Sequence, residues 1–154
     1  MTAIHTTWQA WQTALAAVPP ELACASRAQA AWNVRDVVAH ILWYEREMVN
    51  LLRTQRFTGS EWWYLPLEER NARIQGVFAS QEYASLLELT RQTHAELISL
   101  LDGLPPAALQ DPAAFPGMPG EWQPWQVIAD NTCAHYPEHT AQVSAILAAL
   151  EGSA

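Results

Sequence analysis

The chain has 154 residues and 17.2 kDa, half of them hydrophobic and 16% charged. That fits one compact domain over residues 1–154 with a sizeable core and excludes a disordered chain. Eight basic residues, all arginine, stand against sixteen acidic ones for a net charge of −8, so no nucleic acid and no anionic membrane surface is expected as partner.

Ile4, Trp8, Trp11, Leu15 and Val18 recur at three-and-four spacing, one stripe of a first helix that Pro19 and Pro20 close. Asn33 is placed to cap a second helix, with Asp36 three residues on and Trp32 able to staple onto Val37. Its stripe reads Val37, His40, Ile41, Tyr44, Met48, Leu51 and Leu52, ending near Gln55. Residues 56–79 carry Trp62, Trp63, Tyr64 and a short helix after Pro66, a connection long enough to cross a bundle. A third helix follows Ser80, turns Tyr83, Leu87, Thr90, His94, Leu97 and Leu101 inward, and ends at Gly103, Pro105 and Pro106. After an aromatic, proline-rich loop over 111–123, Pro124 opens a fourth helix to about Leu150. Its inward stripe is Trp125, Ile128, Thr132, His135, His139, Val143, Ile146 and Leu150. No strand pattern or repeat competes, so the fold class is all-α: a four-helix bundle, up-down-down-up, with helices two and three parallel across the long crossover. In that arrangement the two aromatic loops need not share a bundle end.

Cys24 and Cys133 make no C-x-x-C pair and are too few for a disulfide framework, and Cys133 reads as a packed thiol. With no leader-like first segment and no apolar run of membrane-spanning length, the expected place is the cytoplasm.

His135 and His139, four residues apart, project from one helical face and can chelate a single ion. The same spacing suits two hydrogen-bonded core rings. His40, inward on another helix, would complete three neutral nitrogen ligands with positions left for water or substrate. His94 is a fourth candidate, read first as a satisfied core histidine, and His5 as solvated. The letters His135-Tyr136-Pro137-Glu138-His139 also match H-x-x-E-H, but Pro137 would interrupt a protease's regular helix and should instead kink helix four between the two histidines. Glu47, two turns after His40 on the same face, is a candidate base or orienting carboxylate, whereas Glu45 points sideways and reads as a solvated edge. Tyr44 can offer a hydroxyl to a substrate, and Asn131, one turn before His135, can support the site. Of eight tryptophans, Trp43, Trp62, Trp63, Trp122 and Trp125 fall near helix ends or loops and could line an apolar pocket, with core plugging the default.

The stretches 32–49 and 131–139, together with Pro66-Leu67-Glu68-Glu69-Arg70-Asn71 and Phe115-Pro116-Gly117-Met118-Pro119, resemble the DinB/YfiT-like superfamily and within it the ClbS/DfsB family. The resemblance spans nearly the whole chain. It implies the up-down-down-up bundle, a metal triad at His40, His135 and His139 holding a divalent ion, zinc or nickel first, and a detoxifying or self-protection hydrolase acting on a small electrophilic molecule. Two alternatives follow: a thiol-dependent S-transferase of the mycothiol or bacillithiol type, or a non-catalytic small-molecule binder. The partners implied are a small-molecule substrate, with a homodimer allowed.

Overall fold

The signals around Asn33 are met in full. Its side chain accepts from the Asp36 N–H at 3.0 Å, and Asp36 Oδ2 accepts from the Asn33 N–H at 3.3 Å. This closes a capping box in which each residue satisfies a backbone donor of the other. The computed structural model describes residues 1–26 and 32–152, and its α-helices are α1 Thr2–Ala16, α2 Val34–Thr54, α3 Leu67–Phe78, α4 Tyr83–Asp102, α5 Pro124–Asp130 and α6 His135–Glu151. α2 stops where Gln55 takes a left-handed conformation, φ 49°. Among the described residues no strand is present, and the protein is a helical bundle. α2 packs most extensively against α4, and α1 against α6, while α2 also touches α3 and α6. No described helix is long and apolar enough to cross a membrane.

α2 supplies the centre of the core. Val34, Val37, Val38, Ile41 and Leu42 are buried with Trp11 and Leu15 of α1, Ile74 and Phe78 of α3, and Leu86 and Leu97 of α4. The crossover is ordered locally: Ser60 Oγ accepts from the Trp62 N–H and starts a single 3-10 turn over Glu61–Tyr64, after which Pro66 leads into α3.

Two expectations change. Helix four is two helices, broken over residues 131–134, and the break precedes both histidines instead of separating them. Proline has no N–H and its ring excludes the carbonyl four residues earlier, so Pro137 is tolerated only in a helix's first turn. The chain meets this by restarting α6 at His135. The join is irregular, with the Ala134 N–H bonded to Ala129 O and the His135 N–H to Thr132 O. α5 takes its own phase, which buries Ile128 and leaves Trp125 50% exposed.

The second change concerns Glu45, which has no exposed surface. Its Oε1 accepts from the Tyr136 hydroxyl of α6 at 2.6 Å and from His94 Nδ1 of α4 at 2.8 Å. The Trp8 ring of α1 lies flat on His94, centroids 3.8 Å apart. A buried carboxylate needs such partners because desolvation otherwise outweighs its other interactions. Burial, and then the Glu45 carboxylate, push the Tyr136 phenol well above its usual value.

The two aromatic loops, whose relative placement the sequence left open, share an end. The Phe57 N–H donates to Pro116 O at 3.0 Å and the Phe57 and Trp122 rings meet edge to face at 5.5 Å. Gly117, at φ +96°, passes the Phe57 carbonyl so closely that a Cβ would lie 3.0 Å from its oxygen, a turn open to glycine alone.

Glu45→Ala leaves Tyr136 and His94 buried without their acceptor and should cost about 3 kcal/mol. For a chain of this size that lowers the thermal midpoint by roughly 6–12 °C. Thermal unfolding followed by circular dichroism measures it, with Glu61→Ala on the exposed 3-10 turn as the neutral control.

Candidate functional site

The restart of α6 sets His135 and His139 one turn apart on a regular helix, facing His40 of α2. His40 Nε2 lies 3.2 Å from His135 Nε2, and His139 Nε2 lies 2.9 Å from the same atom. Together the three residues form a group whose ligand atoms all fall within 4.8 Å of one another. Two nitrogens on one tetrahedral zinc, each at about 2.0–2.1 Å, sit roughly 3.3 Å apart, so both short separations fit a shared ion. His94 is elsewhere, paired with Glu45.

The rings are held neutral. Burial, followed by the neighbouring His139 and His135, lowers His40 to about 3. Burial and His139 lower His135 to about 4, and burial lowers His139. Neutral imidazole is the form that ligates. The far nitrogen of His139 donates to Gln142 Oε1 at 2.7 Å, which fixes the tautomer that leaves Nε2 free as a lone-pair donor. Nδ1 of His40 and of His135 are buried without a partner.

Tyr44 adjoins the triad, with its ring 4.6 Å from His40 and 4.9 Å from His135, centroid to centroid. Its hydroxyl accepts from Arg70 Nη1 at 3.1 Å, so its own proton is free to be donated. Arg70 also donates to the carbonyls of Trp62 and Trp63 at 3.0 and 2.9 Å and lies over the Trp63 ring. Trp32, anticipated as a staple for Val37, packs against the core and meets His40 edge-on at 5.2 Å.

Glu47 serves the loop. Its Oε2 accepts from the Ser60 N–H and from Trp63 Nε1, both at 2.8 Å. Gly59 permits this approach, since a Cβ there would run into the Trp63 ring. Trp43 is buried beside Trp62 and Trp63.

A cavity of about 750 Å³ opens where the two aromatic loops meet. Trp63 and Asn131, both anticipated, line it together with Phe57, Trp122, Met48 and Val127, and its charged groups are Glu121 and Asp130. Trp43, Trp62 and Trp125 are not among its walls. Asn131 Nδ2 donates to Val127 O at 2.7 Å. The triad does not line the cavity, but Trp63 packs on Tyr44, which packs on both His40 and His135. Sequence reasoning missed Arg70 and Gln142. Gln142 is three residues after His139 and legible by helical spacing, whereas no local pattern marks Arg70.

The sequence profile of the DinB superfamily matches residues 3–143. No curated protein sequence matches. Among solved structures, an uncharacterised protein from Escherichia coli UTI89 is similar at 16% identity and TM-score 0.79, over 97% of this chain and 91% of its own. The colibactin self-resistance protein ClbS, in complex with a dsDNA, is similar at 15% identity and TM-score 0.79, over 95% and 92%. A structure named Sibling Lethal Factor Precursor - DfsB is similar at 13% identity and TM-score 0.80, over 93% and 89%. The likeness to all three is one of fold. The ClbS complex corrects the exclusion of nucleic acid drawn from net charge, because a protein of this fold is found on duplex DNA, and a whole-chain charge does not describe each face of a surface.

In the metal-free protein, folding stability should fall as pH drops from about 6.5 towards about 4, because the unfolded chain takes up protons at ordinary histidine values while the buried rings refuse them. The thermal midpoint should drop by roughly 10 °C between about pH 7 and about pH 4.5. A flat midpoint across that window would contradict the neutral triad. Separately, Glu47→Ala should free Trp63, read as a red shift of tryptophan emission with helical content unchanged.

Proposed function

We propose that this chain, which belongs to the DinB superfamily, is a detoxifying or self-protection hydrolase of the cytoplasm that acts on a small electrophilic molecule at a divalent ion held by His40, His135 and His139. The convergence of three neutral Nε2 atoms carries the reading. Such a donor set favours zinc or nickel over magnesium. When bound, the ion supplies Lewis acidity. The self-resistance role in the name of ClbS supports the protective half, and both cysteines being free thiols suits a reducing compartment.

The chain's own groups divide the remaining work. Tyr44, its hydroxyl oxygen held by Arg70, donates its proton to a developing negative charge on the substrate. Glu47 positions Trp63 and the Ser60 backbone. Trp63 and Asn131 line the neighbouring cavity, which adjoins the triad through the packing of Trp63 on Tyr44. The cavity favours a second reading, sequestration of a small molecule without turnover, because it is large and the triad is not in its wall. It disfavours an anionic thiol cofactor, since its charged lining is acidic.

Elemental analysis should find about one zinc or nickel per chain after loading. His135→Ala and His139→Ala should each abolish uptake while the bundle stays helical, because packing, not the ion, stabilises it. Metal content unchanged in both variants would refute the triad. A turnover screen against small electrophiles, with and without added thiol and with duplex DNA among the ligands, separates hydrolase from transferase and binder.

A further inference from the structure

The cavity at the loop junction has a charge pattern that specifies its occupant. Its volume of about 750 Å³ lies within the range of small-molecule sites, about 300–1,000 Å³. Four aromatic side chains line it, Phe57, Trp63, Trp122 and the more exposed Tyr64. Trp122 is 43% exposed and meets the Phe57 ring edge to face at 5.5 Å. Glu121 and Asp130 are its only charged lining groups, and neither has an ion-pair partner among the described residues. Asn131 gives one Nδ2 N–H to Val127 O, which orients the amide and keeps Oδ1 available as an acceptor for a ligand. The guanidinium of Arg70 lies 5.0 Å from the Trp63 ring centroid but does not line the cavity, and it donates to the Trp62, Trp63 and Leu65 carbonyls and Tyr44.

Each feature excludes something. A phosphate or carboxylate entering the cavity would meet two carboxylates and no compensating cation. A neutral apolar compound would gain the aromatic walls but leave both carboxylates unanswered. A planar cation gains ring stacking, cation–π attraction to tryptophan, the two carboxylates and an acceptor for its N–H. We propose that this cavity binds a planar aromatic or heteroaromatic compound carrying a protonated amine, stacked among Phe57, Trp63 and Trp122 with its charge towards Asp130 and Glu121. As the substrate class of the site described above, the inference rests on that reading, but the binding titration that tests it depends on neither metal nor turnover.

The probes are three acridines of one shape: 9-aminoacridine, a cation; acridine, mostly neutral near pH 7; and acridine-9-carboxylate, an anion. Titration calorimetry on the full chain at low salt should show the cation binding about tenfold or more tighter than the anion, with the neutral ring between. The Glu121→Gln/Asp130→Asn double variant, altered only at exposed side chains, should shrink that preference to about threefold or less, and Trp122→Ala should weaken the cation. Equal binding of the three, tighter binding of the anion, or no binding at all would overturn the proposal. So would a preference unchanged in the double variant, which would trace it to the net charge of the whole chain. Set beside zinc uptake and turnover of the wild type, the titration separates the two readings: a cation preference in a wild type that takes up no zinc and turns nothing over leaves a binding site without a hydrolase. Zinc uptake by the wild type with no cation preference defeats the cavity assignment alone.

Discussion

A carboxylate without exposed surface sets the relation between three helices. Glu45 leaves α2 into the core, where a single oxygen receives Tyr136 from α6 and His94 from α4, and Trp8 of α1 closes over His94. An acid in such a place is tolerated only with its donors present, so the interaction acts more on specificity than on net stability. Its consequence reaches the triad through chain geometry. Tyr136 is the residue next to His135, and successive helical residues point about 100° apart. Fixing the phenol against Glu45 therefore fixes the rotation of the first turn of α6, and that rotation turns His135 and His139 to His40.

The position of the helix restart is the second half of the same constraint. A continuous helix from Pro124 would carry Pro137 deep in its interior, where the missing N–H and the ring clash cost about 3 kcal/mol. Restarting at His135 puts Pro137 in the first turn and confines the irregular bonding to the residues 131–134, where one N–H reaches back five residues. Both histidines thus stand on straight helix, and their 2.9 Å approach comes from i, i+4 spacing alone.

Much of this was legible in the sequence because periodicity and capping are local. The stripes of α1, α2 and α4, the Asn33 box and the three histidines all follow from spacing. Glu45 was not legible: its angle from the stripe marks an edge in an isolated helix, and only the arrival of Tyr136 and His94 from other segments buries it. Trp125 failed for a related reason, since its place in the stripe assumed one unbroken helix. Glu47 was placed on the correct face of α2, but its partners, the Ser60 N–H and the Trp63 indole, lie in a loop with no period to read. The charge argument about partners failed on scale, since a sum over the chain carries no information about where the charges stand.

The cavity and the triad are separate spaces joined by side chains. Trp63 is a wall of the first, and its indole N–H is held by Glu47 while Arg70 lies over its ring. Its other neighbour is Tyr44, perpendicular to it at 5.3 Å, and Tyr44 touches His40 and His135 and receives Arg70 on its hydroxyl. Trp63 and Tyr44 therefore share one arginine, which lies over the ring of the first and donates to the hydroxyl of the second. Cavity and triad are joined by a continuous run of packed side chains, and Glu47 fixes its outer end by holding the Trp63 indole against the loop.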